Sequence, residues 1–69
     1  MEISKELFKK YLQIQLEGKF NMYTKEAQNA IGCTYYELRN IQENYKQLLE
    51  KYPNLRNEVE QEILVKLTK

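Results

Sequence analysis

Only three residues in this 69-residue chain are strong helix breakers, Gly18, Gly32 and Pro53, and each closes a segment with a helical apolar repeat. A chain punctuated so sparsely is expected to be all-α. The reading is a single helical domain over residues 1–69, a small bundle of four helices.

The first segment, Ser4 to Glu17, sets Ile3, Leu7, Tyr11 and Ile14 on one stripe, with Phe8, Leu12 and Leu16 widening it. Ser4 suits the N-cap, Glu6 the first turn, and Gly18 the left-handed residue that ends a helix. Lys9 and Lys10 are expected to stay in water. The link GKFNMY is apolar for a loop and is expected to pack over the core, with Asn21 as its turn residue.

Thr24 is the expected N-cap of a short second helix that Gly32 terminates about two turns later. Ala27 and Ala30 allow a crossing helix to approach closely. The third helix opens on Thr34-Tyr-Tyr-Glu37, a capping box in which threonine and glutamate each satisfy a backbone donor, flanked by a Cys33 and Leu38 staple. Leu38, Ile41, Tyr45, Leu48, Leu49 and Tyr52 then repeat at three and four, which predicts one continuous helix to about Lys51, ahead of Pro53. A fourth helix is expected over 54–68. Its Leu55, Val59, Ile63 and Leu67 are spaced by four and broadened by Leu64, with glutamates early and lysines late as the helix dipole favours. It is expected to brace the third helix or to supply a dimer surface.

Composition narrows the chemistry. Hydrophobic residues make up 42% of the chain and charged residues 30%, enough for one small core near the lower size limit for unaided folding. Eleven Lys and Arg against ten acidic residues, all glutamate, give a formal charge of +1, well short of the basic excess of dedicated nucleic-acid binders. With no histidine, no aspartate and a single cysteine, Cys33, the usual zinc and calcium ligand sets cannot be assembled, nor an internal disulfide. No metal, no cofactor and no enzymatic activity are expected, since the remaining acids and lysines form no recognisable catalytic arrangement. No apolar run reaches the roughly 18 residues of a membrane span, and MEISKELFKK lacks the apolar core of a secretion signal; the cytoplasm is the expected compartment.

Ala27 and Ile31 ahead of Gly32, Cys33 after it, and Leu38 and Ile41 beyond form the apolar pattern of two helices meeting across one sharp turn. Residues 24–45 thereby resemble the helix-turn-helix of DNA-binding domains, of the repressor-like or excisionase-like kind found in small phage and mobile-element regulators. The chain departs from that pattern at Gln28, where such units carry a small residue four before the turn glycine. The resemblance implies a DNA-binding transcription regulator whose third helix presents Thr34, Tyr35, Tyr36, Arg39, Asn40 and Glu43 to double-stranded DNA. Arg39 would address guanine, Asn40 adenine and Glu43 a cytosine amine, while Lys25 and Lys46 would contact phosphates. Such proteins usually act as homodimers or arrays. The alternative is a small protein-binding adaptor or inhibitor that does not bind DNA, in which the tyrosines are interface aromatics and Arg39 with Glu43 is an ordinary i,i+4 pair.

Overall fold

A computed structural model describes residues 3–67, which form five helices and no strand. Helix α1 runs over Lys5–Glu17, α2 over Lys25–Ile31, α3 over Tyr35–Glu43, α4 over Tyr45–Lys51 and α5 over Leu55–Leu67. The expected all-α class is present, with five helices in place of four; the expected end of the last helix at Thr68 lies outside the described residues.

The additional helix arises at Asn44, where the long third segment breaks with φ −110° and ψ 21°. Asn44 Nδ2 donates to the Asn40 carbonyl at 2.9 Å and to Asn40 Oδ1 at 2.6 Å, while the Asn44 backbone N–H reaches the same carbonyl at 3.1 Å. A side chain that competes for a helical carbonyl in this way favours interruption over continuation. The apolar repeat runs on through the break, because Ile41 and Leu48 on either side of it are both buried.

The helix ends follow local chemistry. Ser4, Thr24 and Thr34 accept through their hydroxyls from the backbone N–H groups of Leu7, Ala27 and Glu37, at 3.1, 3.3 and 3.1 Å. At Thr34 the Glu37 carboxylate accepts in return from the Thr34 N–H at 2.9 Å, completing the capping box. Gly18 (φ 68°) and Gly32 (φ 80°) close α1 and α2 in the left-handed region. Gly32 and Cys33 both donate to the Gln28 carbonyl, at 2.8 and 3.1 Å, so the corner between α2 and α3 is tied down by backbone bonds. A Cβ on Gly32 would meet nothing within 4 Å. Gly32→Ala is therefore expected to cost only the left-handed backbone term, about 1–2 kcal/mol. Urea denaturation followed by circular dichroism checks this, and Gly32→Asn should cost less because asparagine tolerates the conformation.

The core centres on α1. Phe8 and Leu12 are completely buried and Tyr11 nearly so, whereas Leu7, Ile14 and Leu16 are half-buried; the inward face is turned towards Phe8 and Leu12 from the expected Leu7 and Ile14 stripe. Phe8 gathers the aromatic residues, with ring centroids 6.4 Å from Tyr11, 5.9 Å from Tyr45 and 6.4 Å from Tyr52. Burial pushes the Tyr11 phenol pKa up. Ile3, Ala27, Ile31, Leu38, Ile41, Leu48, Leu55 and Val59 complete the interior.

Helix α5 packs principally along α1. Lys9, expected in solvent, forms an ion pair with Glu62 at 2.9 Å, and Gln13 Nε2 donates to the same carboxylate at 3.2 Å. The Lys9 contact raises the ammonium pKa and lowers that of Glu62. The carboxyl-terminal half of α5 departs from the expected inward stripe: Ile63 is half-buried, and Leu67 is 76% exposed.

Candidate functional site

The turn at Gly32 to Thr34 sends α3 off with Leu38 and Ile41 towards the interior, so the intervening residues face solvent. Thr34 is exposed, Tyr35 is 48% and Tyr36 77% exposed, and Arg39 and Glu43 are exposed on the next turns. Asn40 is half-buried. Lys25 is exposed at the first residue of α2, and Lys46 is exposed on α4 beyond the Asn44 break.

These side chains are already engaged with one another. Arg39 Nη2 donates to Glu43 Oε1 at 3.0 Å, and the guanidinium sits 5.9 Å from the centre of the Tyr35 ring. Tyr35, and after it Glu43, push the Arg39 pKa up. The Tyr35 and Tyr36 rings lie 5.7 Å apart. Thr34 spends its hydroxyl oxygen on the cap, and Asn40 Oδ1 accepts from Asn44.

These partners differ in what they cost to release. Both members of the Arg39 and Glu43 pair are about three-fifths exposed, and an i,i+4 pair of that kind contributes roughly 0.3–0.5 kcal/mol. Freeing Arg39 from Glu43 therefore costs little. Asn40 is held differently. Its oxygen belongs to the bond that breaks the helix at Asn44, and a two-point contact to adenine would have to release it.

The structure adds residues that the sequence reading left out. Tyr23 is expected to pack over the core with the rest of its link; instead it is 82% exposed, while Met22 packs inward and Phe20 is half-buried. Asn21 causes this: its Oδ1 accepts from the Tyr23 N–H at 3.0 Å and its carbonyl from the Thr24 N–H at 3.1 Å, a tight turn that projects Tyr23 outward. Tyr23, Gln28, Tyr35, Leu38, Arg39, Gln42 and Glu43 line an open groove of about 350 Å³. Gln42 secures its floor by donating through Nε2 to the Met22 carbonyl at 2.9 Å. The presence of Asn21 as a turn former three residues before Thr24 is the sequence signal for that arrangement.

Cys33 is half-buried beside the core, and burial, then the Glu37 charge, raise its thiol pKa, which disfavours the reactive thiolate. Among the described residues no group of three or more acidic, histidine or cysteine side chains could hold a metal, and no helix is long and apolar enough to cross a membrane. Comparison with protein-family models, with curated proteins and with solved structures finds no match to this chain in any of the three.

Proposed function

We propose that this chain is a small helix-turn-helix-like DNA-binding regulator that lays the amino-terminal part of α3 into the major groove. The observation that carries the reading is the exposed Tyr35, Tyr36 and Arg39 ridge that follows the backbone-tied corner at Gly32. An α-helix about 10–12 Å across with its side chains fits a major groove about 12 Å wide, and the break at Asn44 turns the rest of the segment over to the core. Arg39 reads a guanine edge after giving up Glu43, the tyrosine hydroxyls hold phosphates, and Lys25 and Lys46 add phosphate contacts. Glu43, released from Arg39, accepts from a cytosine amine.

Arg39→Ala is expected to weaken binding to a duplex by about 1–3 kcal/mol with an unchanged helical signal, and Lys25→Ala to reduce the salt slope by about 1. Fluorescence anisotropy across a salt series measures both. Duplex affinity unaltered by Arg39→Ala would remove α3 from the interface.

A second reading draws on the exposed tyrosines. Tyr23, Tyr35, Tyr36 and Arg39 around one groove have the composition of a protein-binding hot spot, and a net charge of +1 suits a protein partner better than a polyanion. On that reading the chain is an adaptor or inhibitor, and no salt-dependent duplex binding is expected.

A further inference from the structure

We infer that the tyrosine-lined recesses beside α3 bind single-stranded nucleic acid by stacking its unpaired bases, an inference that rests on the nucleic-acid reading above. Arg39 and Glu43 border two recesses. One, of about 350 Å³, is lined in addition by Tyr23 and Tyr35, and the other, of about 380 Å³, by Tyr36 and Asn40. Each recess thus has an aromatic wall. Bases in a duplex have their faces covered by one another and offer only edges, whereas unpaired bases stack on exposed aromatic rings.

The rings differ in how much of them is open. The Arg39 guanidinium already lies 5.9 Å from the centre of the Tyr35 ring, and Tyr35 is only 48% exposed. Tyr23 and Tyr36 are therefore the principal stacking platforms, one in each recess. In the Tyr23 recess the floor is apolar at Leu38 and fixed at Gln42, which is bonded to the Met22 carbonyl. Gln28 lines the same recess half-buried, and its amide suits the edge of a base.

Charge favours stacking as the source of affinity. Tight duplex binding draws on many Lys and Arg contacts to phosphate, and a chain of net charge +1 is poorly supplied with them. Stacking needs no charge and tolerates any base, because every base has a π-face. Arg39 and Glu43 are the only charged side chains lining either recess. Arg39, common to both, meets the phosphate that links two stacked bases; Glu43, which accepts from Arg39 at 3.0 Å, opposes that phosphate and limits the affinity.

Fluorescence anisotropy of a labelled mixed-sequence DNA strand, measured alone and annealed to its complement at low salt, tests this. Tyr23→Ala is expected to weaken single-strand binding by about five-fold or more and duplex binding by less than about two-fold, with unchanged circular dichroism, while Tyr23→Phe keeps the ring and binds as wild type. Glu43→Gln should tighten single-strand binding by about two- to five-fold. Duplex binding without single-strand binding overturns this inference alone, as does an equal loss on both ligands in Tyr23→Ala. Binding of neither overturns the nucleic-acid reading with it.

Discussion

Phe8→Ala is expected to destabilise the chain by about 3–5 kcal/mol, the range for removing a fully buried aromatic ring. Phe8 has no exposed surface, and its ring meets those of Tyr11, Tyr45 and Tyr52, which come from α1, α4 and the residue that caps α4. Truncation opens a cavity where these elements converge and removes three aromatic contacts together. At roughly 0.05–0.15 kcal/mol per residue a domain of this size holds about 3–10 kcal/mol in total, so the loss approaches the whole. Denaturant unfolding should show a midpoint close to zero denaturant, or a chain without a cooperative transition. Tyr36→Ala, at a 77% exposed position, is the control and should leave the midpoint within about 0.5 kcal/mol of wild type.

Ile41→Ala is expected to cost about 2–5 kcal/mol, and it carries a consequence for the candidate site. Ile41 is completely buried one turn before the Asn44 break, and with Leu38 it holds α3 on the core. Losing it loosens the helix that carries Tyr35, Tyr36 and Arg39, so ligand affinity and stability should fall together. Arg39→Ala should separate the two, because its side chain is 60% exposed and its ion pair with Glu43 and its ring contact with Tyr35 both lie on the same helix. Thermal denaturation of both variants, measured beside duplex binding, checks the contrast. Equal stability of Ile41→Ala and wild type would mean that α3 is not anchored through this residue.

Which features were legible in the sequence follows from how local their causes are. The starts of α1, α2 and α3 depend on one hydroxyl and a backbone donor three residues away, and Ser4, Thr24 and Thr34 fall where the pattern places them. Gly18 and Gly32 end their helices for an equally local reason, the absence of a Cβ at positive φ. The break at Asn44 was hidden because the apolar period carries straight through it; only an asparagine four residues after another asparagine signals the competing bond. The α1 to α5 pairing was not legible, since Gln13 and Glu62 are 49 residues apart and only the tertiary fold brings Lys9 beside them.

The candidate site divides along the same line. Exposure of Tyr36, Arg39 and Glu43 could be read from the positions of Leu38 and Ile41, because helical spacing turns them away from the buried pair, whereas Tyr35, three residues before Leu38, borders that face and is 48% exposed. The groove that Tyr23 and Gln28 add to that ridge required the turn at Asn21, a three-residue event that reorients one side chain without disturbing any repeat. The occupied oxygen of Asn40 likewise depends on a neighbour whose role is visible only once the helix is seen to stop.

The most direct measurement of the central claim is a chemical-shift titration of the isotopically labelled chain with a random-sequence duplex at low salt. The account predicts shifts concentrated at Thr34, Tyr35, Tyr36, Arg39 and Glu43, with smaller ones at Lys25 and Lys46, all reversed by added salt. No shifts at saturating duplex, or shifts confined to α1 and α5 with α3 silent, would contradict it.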